Sequence, residues 1–364
     1  AKKRDKAVRT ACNKLDIAFH DYKDQVIFEG NELLTQSGAA YKVFTPYKSR
    51  WLMELNACLY QDHRSQLKRL APLKQLDREI VGWSLKKLGF DYADLCLKVG
   101  ESAAKKQLKF FLPDLPDYDK NRNYPVIPNG TSRLSVHLRY GTLSIRSLVR
   151  FALANPSLGA KTWLSELIWR DFYQMILDQF PHVVKGCFKE KYDAVKWSGT
   201  QKHFMLWCQG MTGFPIIDAA MRCFNKTGWM HNRLRMIVAS FLTKDLLVDW
   251  RKGEGWFARN LLDFDLAANN GGWQWCASTG CDAQPYFRIF NPITQSEKFD
   301  PEGSFIKNFL PELKNFSKKQ IHWPHVANQE TQEKVNCILG KDYPKPIVIH
   351  SEQRIKFLNL FKSF

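Results

Sequence analysis

At 364 residues, with 54 Lys and Arg against 36 Asp and Glu, the chain carries a formal net charge of +18; that length buries one large core or two modest ones. The basic excess points to a polyanionic partner such as nucleic acid, because it attracts phosphate and releases counterions, with a solvated basic face as the plain alternative. Nine cysteines with no C-x-x-C pair indicate neither a zinc site nor a disulfide framework and fit a reducing, cytoplasmic setting, and no signal peptide or apolar run of about 18 residues points to a membrane.

The chain opens Ala-Lys-Lys-Arg, without Met and already in a helical pattern, as a fragment or a processed chain would. Lys2 to about Ala11 predict a basic helix. Leu15–Phe19 and Gln25–Phe28 predict short strands, the tail of an α/β domain. Residues 48–112 read as mixed helices and linker. Leu112–Gly130, with Pro113, Pro116, Pro125 and Pro128 among Asp and Asn, reads as a loop or domain border. From Thr131 onward apolar residues recur at helical spacing through Leu134–Leu153, Trp163–Phe180, Gln201–Cys208, Pro215–Phe224, Met230–Trp250 and Trp256–Leu266. Almost nothing alternates with period two, so this part is an all-α domain, closed by a last helix near Glu352–Phe361.

Nine of the twelve tryptophans lie between Trp163 and Trp275. Such crowding serves an aromatic core, base stacking, flavin contact or an electron relay, and pattern alone does not choose. Thr131-Ser132-Arg133-Leu134-Ser135 opens a helix, where hydroxyls, free N–H groups and Arg133 make an anion site or a plain capping cluster. Glu166 and Trp169 share one face of the Trp163–Phe180 helix. A carboxyl beside an indole in a dry pocket has its pKa raised and donates a hydrogen bond; at a surface the same pair merely snorkels.

Gly228–Met236 starts another helix. Asn232, Arg233 and Met236 point roughly one way, combining an amide that reads a base edge, a cation that holds phosphate and a soft apolar contact; His231 reads as structural. The densest segment is Asp263-Phe264-Asp265-Leu266-Ala267-Ala268-Asn269-Asn270-Gly271-Gly272-Trp273-Gln274-Trp275. Its glycine pair permits a backbone turn or close approach to a flat ligand.

These segments, followed by Tyr286-Phe287-Arg288-Ile289-Phe290-Asn291-Pro292, resemble the photolyase/cryptochrome family. Tyr41-Lys42-Val43-Phe44-Thr45-Pro46-Tyr47, Gly130–Ser135, Glu166-Leu167-Ile168-Trp169-Arg170-Asp171-Phe172-Tyr173 and Tyr343-Pro344-Lys345-Pro346-Ile347-Val348 fall in family order, so the resemblance spans essentially the whole chain. It implies a mainly α protein: an all-helical FAD-binding domain preceded by the C-terminal remnant of an α/β (Rossmann-like) antenna domain. Residues 1–47 would be that remnant, 48–112 the interdomain linker and helices, and 113–364 the catalytic domain. A folate or deazaflavin antenna chromophore belongs to the full α/β domain, and Lys185 matches a position that touches a folate in some members.

Residue by residue, the resemblance puts Tyr118, Thr131, Ser132, Arg133, Leu134 and Ser135 at the FAD phosphates and ribose. Asp263, Phe264 and Asp265 would line flavin and ribitol, with Arg235 pairing Asp263 and Asn269 facing flavin N5. Trp273, Trp250 and Trp197 match an electron relay to the photoexcited flavin. Glu166, Trp169, Asn232, Met236 and Trp275 match a lesion pocket, and Arg170, Tyr173, Arg233, Arg288 and Thr294 a DNA contact. The implied activity is repair of UV-damaged DNA by a monomer. A poorly stacked cyclobutane pyrimidine dimer flips into the pocket, and an electron from light-excited reduced FAD opens the ring. Glu166, kept protonated by burial, would stabilise the developing anion.

Asn232 and Met236 stand where (6-4) enzymes resemble one another in a histidine pair, and neither is a general acid, which argues against (6-4) repair. Asn269 stands where plant-type cryptochromes usually carry Asp. The set Asn232, Met236, Glu166 and Trp169 is similar to that of class I, bacterial-type cyclobutane enzymes. Two alternatives differ in class: a cryptochrome-like photoreceptor without repair, and a basic helical DNA-binding protein without flavin. Repair under blue light separates the first, and a yellow colour eliminates the second.

Overall fold

The computed structural model describes residues 2–61, 82–91, 95 and 97–364; the remainder of the 48–112 linker lies outside them. The basic N-terminal run forms α1 (Lys2–Lys14), which buries no residue. The strands expected at Leu15–Phe19 and Gln25–Phe28 are irregular instead. A strand needs a ladder for its N–H groups, and here other groups supply the bonds. The Ile27 and Phe28 N–H groups donate to the buried Asp171 carboxylate at 3.0 and 3.4 Å, and Arg146 donates to the Asp24 and Lys23 carbonyls at 2.7 and 3.2 Å. Among the described residues only isolated bridges occur, Leu34 with Ala40 and Leu339 with Tyr343.

Next come α2 (Phe44–Glu54), α3 (Ala57–Tyr60), α4 (Gly100–Phe111), α5 (Tyr118–Asn121), α6 (Ser135–Arg139) and α7 (Ile145–Ala154). The single helix expected over Leu134–Leu153 is therefore two, parted at Gly141, whose φ of +66° a helix does not accept. These elements surround α8 (Leu158–Gln179), capped by the Ser157 hydroxyl accepting from the Ala160 N–H at 3.1 Å. Its buried residues include Trp163, Leu167, Ile168, Phe172 and Met175, an apolar surface too wide for a one-sided amphipathic helix, so α8 runs through the core. With Ile27, Tyr47, Trp51, Phe111 and Leu148 they form one hydrophobic cluster.

A second cluster gathers the rest. The helices α9 (Gln201–Gln209) and α10 (Pro215–Thr227) end on the left-handed glycines Gly210 and Gly228. Then come α11 (Asn232–Ser240), α12 (Trp250–Asn260), α13 (Leu266–Ala277), α14 (Pro292–Phe299), α15 (Ser304–Phe309), α16 (Gln329–Lys334) and α17 (His350–Lys362). The helix expected over Met230–Trp250 breaks after a π turn at Phe241–Asp245; Leu247, at φ +51°, ends it. Trp207, Phe224, Phe241, Trp250, Phe257 and Phe357 fill this cluster.

The Gly271-Gly272 pair makes no turn: both lie inside α13. Glycine costs a helix about 0.5–1 kcal/mol each, and packing offsets it. A Cβ on Gly271 would stand 2.2 Å from the Tyr173 ring, so its absence lets α13 of the second cluster lie against α8 of the first. Among the described residues no helix is long and apolar enough to cross a membrane.

Candidate functional site

Along the seam between the clusters opens a cavity of about 510 Å³, within the range of small-molecule sites. Tyr118, the segment before α6 and the Glu166–Tyr173 face of α8 form one wall. The other wall comes from α11, α12 and α13. Five arginines (122, 133, 139, 170 and 235) face three carboxylates (Glu166, Asp263 and Asp265), so the cavity favours an anionic ligand.

Thr131, Ser132, Arg133, Leu134 and Ser135 all line one end. No side chain caps α6, so the capping reading of this cluster fails. Instead Arg133 takes φ +53° and Leu134 takes φ −92°, ψ 1°, a left-handed then right-handed sequence that turns successive N–H groups into one anion-binding concavity. The Arg133 guanidinium lies 5.2 Å from the Trp229 ring centre, whose indole N–H donates to the Ser135 hydroxyl at 3.3 Å. Tyr118 is buried there, and burial raises its phenol pKa.

Deeper in, Arg235 pairs with Asp263 at 2.7 Å. The Asp263 side chain is 2 % exposed, yet its Oδ1 is buried with no partner among the described residues. A carboxylate oxygen left bare in a dry wall calls for a donor from a ligand. Asp265 caps α13 through the Ala268 N–H at 3.0 Å and accepts from Gln174 at 2.9 Å. Asn269 donates to the Glu254 carbonyl at 3.1 Å, which leaves its amide oxygen as the free end. Beside it Gly272 meets nothing within 4 Å of where a Cβ would stand, so the backbone itself faces open space.

Toward the mouth stand Glu166, Trp169, Arg170, Tyr173, Asn232, Met236 and Trp275, all lining the cavity. Trp169 stacks on Phe44 at 3.7 Å and 8°, so one face of the indole is backed and its rotamer fixed. Asn232 donates to the Met236 sulfur one turn on at 3.8 Å. Glu166 departs from expectation. Its side chain is 32 % exposed and accepts from Arg122 at 2.7 Å, so it is half-buried and paired with a cation rather than sealed in a dry pocket. Burial alone would lower the Arg122 pKa, but the charge of Glu166 helps to raise it.

Of the other expected residues, Trp273 lines the cavity and the rest lie off it. Arg233 holds the Asn123 side chain at 2.8 Å and sits 4.4 Å from the Phe299 ring centre. Arg288 and Thr294 are exposed, with the Thr294 hydroxyl turned back to the Asn291 carbonyl, and Lys185 is exposed as well. Phe264 packs against the second cluster, and its carbonyl accepts from Arg139. Trp273 lines the cavity and lies on α12 at Gly253, where a Cβ would meet its ring at 2.2 Å. Trp250 is buried three residues before that glycine, and Trp197 is half-buried, 5.9 Å from the Phe361 ring centre.

Sequence reasoning missed Arg122, Arg139, Trp229 and Cys276, which also line the cavity, and Phe44 behind Trp169. Arg122 stands in the proline-rich stretch read as a border, where no periodicity marks a function. His231 caps α11, its Nδ1 accepting from the Arg233 N–H at 3.1 Å, while its Nε2 is buried with no partner among the described residues.

A family model described as the FAD binding domain of DNA photolyase matches residues 163–363, and one described as DNA photolyase matches residues 1–68. The chain belongs to the photolyase/cryptochrome family. It is 43 % identical to the deoxyribodipyrimidine photo-lyase of Alkalihalophilus pseudofirmus, over 99 % of this chain and 75 % of that protein. Against that of Escherichia coli it is 42 % identical, over 96 % and 73 %. A class III photolyase structure from Agrobacterium tumefaciens is similar with TM-score 0.90 and 35 % identity, covering 99 % of this chain and 76 % of the other. A Synechocystis cryptochrome is similar at TM-score 0.82 and 28 % identity, over 96 % and 74 %.

The residues present fit FAD, the cofactor of this family domain. The concavity at Arg133 and Leu134 suits a diphosphate, and the bare Asp263 oxygen suits an N–H or O–H donor. Gly272 leaves room for a flat ring beside Asn269.

Proposed function

We propose that this chain is a light-dependent DNA repair lyase, a deoxyribodipyrimidine photo-lyase that splits cyclobutane pyrimidine dimers. One observation carries the reading. A single cavity joins an end suited to FAD with a mouth lined by Trp169, Trp275, Asn232, Met236 and the Arg122–Glu166 pair. Residues 1–47 are the end of an antenna domain, 48–112 the connection and 113–364 the catalytic domain; an antenna chromophore of folate or deazaflavin type would belong to the full protein. The molecule acts as a monomer.

Arg170, Arg233 and Arg288 hold backbone phosphates, with Tyr173 and Thr294 beside them, and so fix register without reading sequence. A dimer, already unstacked, leaves the duplex at reduced cost. Trp169, backed by Phe44, and Trp275 receive its apolar surface, and the Asn232 amide meets a pyrimidine edge. Reduced FAD, when bound and excited by blue light, would supply the electron that opens the cyclobutane ring and would take it back once the two pyrimidines have parted, so that repair consumes no electron. Negative charge then grows on the pyrimidine carbonyls, where Arg122, oriented by Glu166, is the preorganised cation. Outside the repair cycle, Trp273, Trp250 and Trp197 would carry electrons inward from the surface to a flavin that has become oxidised.

Asn232 and Met236 supply no general acid, which favours cyclobutane over (6-4) repair and the class I, bacterial-type branch. The test is illumination of the reduced, flavin-loaded protein with a thymine-dimer oligonucleotide. Dimers should disappear in proportion to light dose and persist in the dark. Flavin photochemistry without dimer loss would mean a cryptochrome-like photoreceptor instead.

A further inference from the structure

Behind the mouth of the cavity, and not lining it, Lys244 is 0 % exposed within the π turn that follows α11. Lysine is almost never fully buried unless paired. Here two neutral oxygens receive it: Nζ donates to the Ser278 hydroxyl at 3.1 Å and to the Arg288 carbonyl at 3.0 Å. Ser278 is the left-handed C-cap of α13, at φ +67°. Arg288 stands ten residues on, shortly before α14. One ammonium therefore joins both ends of an irregular loop whose far end carries Phe287, 61 % exposed, and the exposed Arg288.

We propose that Lys244 is a positioning residue for DNA binding: it clamps the ends of the 278–288 loop together and so sets where the exposed Arg288 stands on the surface outside the cavity. The proposal rests on the DNA-repair reading of the site. Other bonds anchor the loop along its length. The Thr279 and Gly280 N–H groups donate to the Gln274 carbonyl at 3.0 and 3.1 Å, and the Thr279 carbonyl accepts from the Lys189 N–H at 3.0 Å. The Asp282 carboxylate accepts from the Phe44 N–H at 3.0 Å, Gln284 donates to the Cys276 carbonyl at 3.2 Å and the Arg288 N–H to the Pro285 carbonyl at 2.9 Å; none of these ties Arg288 to Ser278. Hydrogen bonds from a cation are roughly twice as strong as neutral ones and hold their geometry. The surroundings keep the ammonium in place. The Phe357 ring of α17 lies 5.4 Å away, and the neighbouring Asp245 carboxylate is engaged by His350 at 2.5 Å. The choice of lysine is costly, since burial pushes its pKa down to about 7. A π turn, common where a helix serves a site, aims the side chain at the loop.

The test measures dark binding of flavin-loaded protein to a dimer-containing oligonucleotide across salt, for the wild type, Lys244→Met, Arg288→Ala and the double variant. Methionine keeps the volume and the Phe357 packing. Lys244→Met should weaken binding about tenfold, the size of losing a charge-assisted hydrogen-bond pair, with flavin content unchanged. In the Arg288→Ala background it should add almost nothing, because the clamp acts through that arginine. Equal weakening in both backgrounds indicates a merely structural lysine and overturns the proposal, as does full affinity in Lys244→Met. Should that variant fail to fold, Ser278→Ala removes one of the two ties; a loss of about threefold that vanishes without Arg288 supports the clamp, and no loss overturns it. Wild-type protein with no preference for dimer DNA sinks the repair reading as well, whereas normal wild-type binding beside an unaffected variant sinks the clamp alone.

Discussion

Asp263→Asn is the sharpest perturbation of the cofactor end. Asp263 is nearly sealed from solvent, and one oxygen takes Arg235 at 2.7 Å while the other is bare. Opposite charges about 4 Å apart attract by about 4 kcal/mol at an effective dielectric constant near 20. Arg235 is 27 % exposed, and water screens part of that. Asparagine keeps the shape and one acceptor but removes the charge that makes the bare oxygen a strong acceptor for FAD. A charge-assisted hydrogen bond contributes about 1.5–3 kcal/mol, so FAD affinity should fall by about ten- to a hundredfold. The assay is the flavin-to-protein absorbance ratio after purification, followed by fluorescence titration of apoprotein with FAD. A variant that binds FAD within about twofold of the wild type would show that Asp263 serves only to orient Arg235.

Trp273→Phe should abolish photoreduction of oxidised flavin while chemically reduced protein still repairs; loss of both activities would remove Trp273 from the relay and put it in the lesion chemistry. Gly271→Ala should lower the melting temperature, because its Cβ meets the Tyr173 ring at 2.2 Å and overpacking costs about 1–3 kcal/mol. Gly272→Ala has open space, so it should stabilise the apoprotein by about 0.5–1 kcal/mol yet weaken FAD binding; the two melting curves decide. Burial first, then Arg133, Arg233, Arg235 and Arg122, push the His231 pKa down to about 3. A depressed histidine gives stability that is full above about pH 6.5 and is lost as pH falls toward 3, by about 5 kcal/mol at most. His231→Asn, which still caps α11, should flatten that acid limb in urea titrations between pH 7 and about 4.

In the second cluster α9, α10, α11 and α17 were legible in sequence because they carry their own periodicity and, at Gly210 and Gly228, their own stop; α12 lies several residues before the expected run, and α13 to α16, glycine-interrupted or short, were not. The N-terminal strands misled for a physical reason. Gln25–Phe28 has strand-like residues, but strand is a pairing, and the groups that take its N–H and C=O partners, Asp171 and Arg146, lie about 120 to 144 residues away in sequence. A separation of 44 residues likewise hid Arg122, whose role exists only because the end of α5 delivers it to Glu166 on α8. Motif residues such as Asp263, Asn269 and Trp273 were legible through composition and resemblance, but which oxygen stands bare is a property of packing. Glu166 shows the limit most clearly: residue type suggested a buried acid, and one unforeseen arginine made it an ion pair.

The adjacent glycines explain why the two ends of the cavity belong to one device. Gly271 sets the distance between α8 and α13 at their crossing, against Tyr173. α8 lines the cavity with Glu166, Trp169 and Arg170, and α13 lines it with Asn269, Trp273 and Trp275. Interiors are close-packed and transmit strain rather than absorb it, so any shift at the crossing moves the DNA-facing wall and the cofactor-facing wall together. Gly272, one residue on, faces the space that this spacing leaves open. A reaction that depends on charge crossing between two ligands needs their separation held by the protein, and the contact of α8 with α13 is one of those that set the cavity walls apart, beside those of α5 with α8 and of α11 and α12 with α13.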